Sequence, residues 1–102
     1  MIARVWHGVL KRKSDADEFA DYVMHTGVKS VQATEGNRGV YVLKRVDEEC
    51  AEFFFISLWE SFEAIRRFAG EDLEKAVYHS RDKEFLVELE PKVKHFEVLV
   101  KP

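Results

Sequence analysis

Residues 40–59, VYVLKRVDEECAEFFFISLW, contain two runs of strand-forming residues separated by the short acidic segment Asp47-Glu48-Glu49. Two such runs joined by so few residues predict an antiparallel hairpin with strands over 40–46 and 51–59. Apolar side chains occupy both odd and even positions of these strands, whereas a hairpin with one face in water would alternate more cleanly. Both faces of the hairpin are therefore expected to be covered.

The flanking segments complete a four-stranded pattern. Residues 2–10 are rich in strand formers and predict a first strand, and 93–100 predict a last one. Ser14 is expected to cap a first helix that Gly27 ends, and its apolar residues recur at helical spacing at Ala16, Phe19, Ala20, Val23 and Met24.

The segments between these elements carry weaker signals. Residues 28–37 are polar and predict an irregular stretch. A second helix is expected from a cap at Ser61 to Gly70, followed by a short helix through 73–78 and an extended segment at 85–89.

The order βαββαβ defines an α+β, ferredoxin-like fold with a four-stranded antiparallel sheet and both helices on one face. The hairpin pattern makes the other face apolar as well, and the chain supplies no third layer to cover it. A second copy of the chain is the simplest cover, so a homodimer paired through its sheets is expected.

Composition narrows the partners and the compartment. The 102 residues fit one domain, residues 1–102. A net charge of -3 predicts neither nucleic acid nor an anionic membrane as a partner. No apolar run approaches the roughly 20 residues of a membrane span. The N-terminus lacks a signal-peptide pattern, and the single cysteine, Cys50, suits a reducing compartment, so a cytoplasmic location is expected.

Three stretches resemble one family of domains. They are Ile56-Ser57-Leu58-Trp59-Glu60-Ser61 with Ala64, Ile65 and Phe68 after it, the segment 2–6, and the turn and strand at 36–43. Together they resemble antibiotic-biosynthesis-monooxygenase (ABM) domains of the dimeric α+β barrel superfamily. The resemblance implies the same fold and pairing as the hairpin pattern. It also implies either cofactor-free oxygenation of aromatic polyketides and quinols or, in another branch, haem degradation.

The haem-degrading branch uses an Asn on the first strand, a Trp late in the second helix and a His as axial ligand. The matching places in this chain hold His7, Phe68 and Tyr78, with His79 one residue further on. Because none of the three residue types is present at its place, the resemblance disfavours haem oxygenation, although tyrosine can ligate haem iron. No cofactor is therefore expected, and no His, Cys or carboxylate set has the spacing of a metal site.

The expected catalytic residues are His7 and His79, either of which could act as the base that deprotonates a substrate. The pocket is expected between sheet and helices, lined by aromatic residues: Trp6, Phe55, Trp59, Phe68 and Tyr78. Simpler interpretations remain open for several of them. His7 is more typical of a histidine at an interface, Trp59 of a core anchor, and Tyr78 and His79 are equally typical of a helix-end surface.

Two functions from different classes follow. The first is a cofactor-independent monooxygenase acting on a small aromatic or quinol molecule. The alternative is a non-enzymatic module that binds a small hydrophobic ligand or haem in the same pocket, and a dimeric scaffold without pocket chemistry is a third interpretation.

Overall fold

The computed structural model describes all residues from 1 to 102. Its elements, in chain order, are β1 (Ile2–Val9), α1 (Ala16–His25), α2 (Gly27–Gln32), β2 (Asn37–Val46), β3 (Ala51–Trp59), α3 (Phe62–Ala69), α4 (Asp82–Phe85) and β4 (Lys94–Glu97).

The four strands form one antiparallel sheet in the order β2-β3-β1-β4. The predicted hairpin is present, with Val42 of β2 opposite Phe55 of β3, and β1 places Trp6 opposite Phe55 from the other side. The predicted α+β, ferredoxin-like fold is confirmed.

The ends of α3 are those that the sequence predicts. The Ser61 hydroxyl accepts a hydrogen bond from the Ala64 amide at 3.1 Å, and this cap satisfies one of the free N–H groups at the start of the helix. The helix ends at Gly70, whose φ of 89° belongs to the left-handed region that glycine adopts without strain.

The prediction for the first helical segment was partly wrong. Ser14 lies in a short 3₁₀ turn (Lys13–Asp15) and no side chain caps α1. Gly27 does not end the helical region but starts α2, so the stretch expected to be irregular begins as a helix. Its Val31 is fully buried. This buried apolar residue was hard to recognise as part of a helix because the stretch 28–37 is mainly polar.

The short helix expected over 73–78 is absent, and a turn at 73–74 followed by irregular chain stands in its place. Lys75 forms an isolated bridge with Lys92, and the carbonyls of Leu73 and Lys75 accept hydrogen bonds from the Arg4 side chain. These carbonyls therefore bind a side chain from β1 in place of helical amides. Helix α4 follows later, at Asp82–Phe85, and β4 is shorter than the predicted strand 93–100.

Helices and loop segments cover one face of the sheet, and side chains from that face form two buried clusters. One cluster is centred on Phe19, Phe53 and Phe85, and the other on Val31 and Trp59. No helix has the length and apolar character needed to cross a membrane.

The opposite face of the sheet, which we call the open face, has no cover within the chain. Its exposed apolar side chains are those of Tyr41, Leu43 and Phe96, with exposed fractions of 50%, 47% and 54%. The apolar pattern on both faces is therefore present as expected, while the pairing of two chains stays a prediction.

Candidate functional site

A cavity opens between the covered face of the sheet and the helical layer, as the sequence predicted. Its volume is about 70 Å³, and the empty space between its lining atoms out to the open mouth totals about 580 Å³. The lining residues come from β1, β3, α1, the start of α2, α3 and the chain around 77–82. The smaller figure is the enclosed part, and it is below the roughly 300–1,000 Å³ typical of small-molecule pockets, so a bound molecule would extend into the open mouth.

The aromatic wall of the cavity is built on β1 and β3. Trp6 and Phe55 are cross-strand partners, so both side chains point to the covered face. Glycines make room for both rings: a Cβ on Gly8 would lie 2.3 Å from the Trp6 ring, and one on Gly27 would lie 3.2 Å from Phe55. At Gly8 the backbone lies so close to the Trp6 ring that no residue with a side chain would fit there.

Tyr78 joins this wall through its hydroxyl. It accepts a hydrogen bond from Trp6 Nε1 at 3.0 Å and donates one to the Glu90 carbonyl at 2.6 Å. Burial raises the pKa of Tyr78, so the phenol stays protonated and keeps donating at neutral pH. The pair Trp6 and Tyr78 is thereby held in one arrangement from two distant parts of the chain.

His79 lines the same cavity beside Tyr78. Its Nε2 lies 3.1 Å from the Ser30 hydroxyl, and its backbone amide donates to Asp82 Oδ2 at 2.6 Å. Burial raises the pKa of Asp82, although its hydrogen bond with the His79 amide opposes that shift. His79 Nδ1 has no hydrogen-bond partner in the chain.

Arg4 brings a buried charge to the cavity wall. The residue is 4% exposed, and its guanidinium donates to the carbonyls of Leu73 at 2.5 Å and Lys75 at 2.7 Å. Its Cζ atom also lies 5.7 Å from the centre of the Phe68 ring. Burial lowers the pKa of Arg4 to about 10, so the group remains a cation at neutral pH.

The cavity brings together most of the residues that the sequence analysis singled out. Trp6, Phe55, Phe68, Tyr78 and His79 all line it. Arg4, Ser57 and Asp82 also line it, although the sequence did not predict them as site residues. The signal for Arg4 was available, because the two-residue period of a strand puts it on the same face as Trp6.

Trp59, which the sequence analysis counted with the pocket, does not line the cavity. It is completely buried in the core, where its Nε1 donates to Ser57 Oγ at 2.8 Å. Its ring centroid lies 5.7 Å from that of Phe68, so Trp59 supports a cavity-lining ring from behind. The placement is that of the core anchor, the interpretation the sequence favoured for this residue.

His7, the other expected base, points away from the cavity. Since Trp6 faces the helices, its neighbour on the strand faces the open side of the sheet. There His7 Nε2 lies 2.8 Å from Glu52 Oε2, its Nδ1 lies 3.3 Å from Glu90 Oε2, and its ring packs 4.8 Å from that of Phe54. His7 and His79 are therefore not brought together, and of the two only His79 can reach a molecule in the cavity.

Comparison with known proteins supports the fold. No family model matches the chain, and no curated protein matches it in sequence. Among solved structures, the haem-degrading protein MhuD of Mycobacterium tuberculosis with two haems bound is similar over 100% of this chain and 99% of its own, with 16% identity and a TM-score of 0.66.

Two further structures of the same protein agree. A point variant of MhuD with two manganese protoporphyrin IX molecules per active site gives a TM-score of 0.64 at 18% identity, covering 100% of this chain and 98% of that one. The haem-free form with cleaved protein gives 0.56 at 20% identity, covering 100% and 99%. At these identities the similarity shows a shared α+β fold along the whole chain.

Two of these MhuD structures hold haem or a metalloporphyrin. The polar groups of this cavity suit such a ligand, but the volume of the cavity does not. An imidazole at the wall and a buried guanidinium could meet iron and a propionate respectively. However, His79 Nε2 is bonded to Ser30, and the enclosed volume of about 70 Å³ is far smaller than a porphyrin. A porphyrin therefore does not fit within the enclosed part of the cavity.

Proposed function

We propose that the chain binds a small planar aromatic molecule in this cavity and oxygenates it without a cofactor, in the manner of ABM-type monooxygenases. The observation that carries the proposal is an apolar cavity walled by Trp6, Phe55 and Phe68 and lined also by His79, whose Nδ1 makes no hydrogen bond within the chain. Flat rings suit an aromatic wall of this kind, and a proton acceptor beside them suits an acidic phenol or quinol.

The tautomer of His79 determines which atom acts as the base. If Nε2 carries the proton and donates it to Ser30 Oγ, Nδ1 keeps its lone pair and can take a proton from the ligand. The resulting substrate anion is electron-rich and can reduce oxygen directly. In the keto tautomer of such a substrate the reacting carbon is a CH₂ group; this group becomes C=O, and the second oxygen atom leaves as water with both hydrogens. The substrate then supplies every electron, and no external reductant is needed.

Oxygen uptake tests the proposal. A panel of hydroquinones and anthrone-like phenols is supplied to the purified protein, and uptake is followed with an electrode. His79→Ala is expected to lower the rate about 10²- to 10⁴-fold, the usual contribution of a general base. His7→Ala is the matched control, since its side chain lies on the open face, and it should retain the wild-type rate. Wild-type rates in the His79 variant would contradict the proposal.

The second candidate is binding without turnover, with haem as one possible ligand. The position of His79 on the cavity wall favours it, and the solved structures of MhuD hold haem or a metalloporphyrin. Titration with haemin tests this version. A Soret band that shifts at stoichiometric haemin in the wild type, and not in His79→Ala, would support haem ligation by this residue. No shift in the wild type would exclude it.

We also propose that the chain pairs with a second copy through its open face and acts in the cytoplasm. The support for pairing is the set of exposed apolar side chains on that face, including Tyr41, Leu43 and Phe96. Light scattering coupled to size exclusion should give twice the mass of the 11.9 kDa chain. A stable monomer at micromolar concentration would contradict the pairing.

A further inference from the structure

Arg4 is a buried cation that makes no ion pair. Its three polar partners are neutral: the carbonyls of Leu73 and Lys75, and His95 Nε2 at 3.1 Å. Burial, and then the charge of Arg4, lower the pKa of His95, which favours the neutral ring that can accept from the guanidinium. A guanidinium has five N–H groups, so these partners leave two of its donors unused.

An unpaired charge in such a place is costly for the fold. Removing an ion from water without placing an opposite charge beside it is strongly unfavourable, and buried guanidinium groups are therefore usually paired with carboxylates. The acidic residue on this cavity wall, Asp82, is bonded to the His79 amide and not to Arg4. Glu74 is close enough to His95 to raise its pKa but does not bond to Arg4 either.

Ser57 adds a second donor at the same place. It is the cross-strand partner of Arg4, it lines the cavity, and it is 1% exposed. Its oxygen accepts the hydrogen bond from Trp59 Nε1 at 2.8 Å. The chain offers no acceptor for its own hydroxyl hydrogen. Adjacent positions of β1 and β3 therefore present unused guanidinium and hydroxyl donors, and no further acceptor of the chain bonds to them.

We infer that the cavity takes an aromatic carboxylate, with the carboxylate meeting Arg4 and Ser57 while the ring lies against Trp6 and Phe68. This inference rests on the proposed function and adds that the molecule bound in the cavity is an anion. A bidentate bond between guanidinium and carboxylate is among the strongest polar contacts available to a protein, and burial strengthens it. It would also supply the counter-charge that the folded chain lacks.

A pair of matched probes tests the charge requirement. The anion 2-naphthoate and its neutral counterpart 2-naphthamide have nearly the same shape, and binding of each is measured by calorimetry and by quenching of tryptophan fluorescence, since Trp6 lines the cavity. We expect 2-naphthoate to bind at least tenfold more tightly. Affinities of the two probes within twofold of each other would overturn the inference and leave the proposed function standing. If neither probe binds, the inference and the proposed function are both overturned.

Variants locate the effect. Arg4→Gln should bring the ratio of the two affinities to within about twofold, and Arg66→Gln, a change at an exposed position of α3, should preserve the wild-type ratio. Retention of the wild-type ratio in Arg4→Gln would overturn the assignment to Arg4.

Because Arg4 also holds two backbone carbonyls, this variant could fail to fold. Ser57→Ala then serves in its place, and it should weaken 2-naphthoate at least threefold more than 2-naphthamide. An equal effect on both probes would overturn the inference.

Discussion

The two faces of the sheet carry similar side chains in very different surroundings. On the covered face Phe53 and Trp59 are 1% and 0% exposed, while on the open face Tyr41 and Leu43 of the neighbouring strand are about half exposed. Both faces of the sheet are thus apolar in composition. Only the face that the helices cover becomes a buried core. The histidines divide in the same way: His79 reaches the cavity, and His7 lies among carboxylates on the open face.

The largest effect expected from this contrast is on stability. Trp59→Ala should lower the free energy of unfolding by about 3–5 kcal/mol, because it empties a completely buried site. Phe96→Ala is the control on the open face, and it should cost less than about 1 kcal/mol in dilute protein. Urea denaturation at two protein concentrations measures both, and a larger loss for Phe96 in dilute protein would contradict the contrast between the faces.

The open face can be tested through association. Leu43→Lys should raise the dissociation constant of the dimer at least tenfold, since pairing would bury an uncompensated ammonium group. Met24→Lys places the same charge at an exposed position of α1 and should leave association unchanged. Analytical ultracentrifugation of the two variants and the wild type measures the difference. Equal dissociation constants for Leu43→Lys and the wild type would rule out pairing through this face.

A smaller effect concerns the polar contact inside the core. Ser57→Ala should lower the free energy of unfolding by about 1–3 kcal/mol, because Trp59 Nε1 would be left buried without an acceptor. In a Trp59→Phe background the same change should cost much less, as the indole N–H is already gone. Thermal or urea unfolding of the four proteins gives the coupling, and equal costs in both backgrounds would show that the bond contributes nothing.

The smallest expected effect depends on pH. Burial raises the pKa of Asp82 in the folded state, so its contribution to stability is present below the unfolded pKa of about 4 and is lost as pH rises through the folded value. Asp82→Asn keeps an oxygen for the His79 amide. It should therefore raise the melting temperature slightly at pH 7 and not at pH 3.5.

The exposed residue Asp21 provides the control for this pH effect. Asp21→Asn should show no such pH-dependent gain, since its side chain is 77% exposed. Stabilisation by Asp82→Asn that is equal at both pH values would show that burial of the charge is not the cause.

Local patterns predicted the strands and the ends of α3 because those elements depend on neighbouring residues. The hairpin follows from two strand-forming runs and a short turn, and the cap at Ser61 lies three residues from the amide it binds. The prediction failed over 73–78, where apolar spacing favoured a helix. There the carbonyls bind Arg4, which lies about seventy residues earlier in the chain, and no local pattern contains that contact.

By itself, the sequence determined the order of the four strands and of α1 and α3, the apolar character of both faces and the aromatic residues that could line a pocket. Only the tertiary structure decided that Trp6 faces the cavity and His7 does not, that Trp59 belongs to the core, and that Arg4 is buried without a counter-ion. The physical reason is that a strand alternates its side chains between two faces, while the choice of which face is inside depends on where the helices pack.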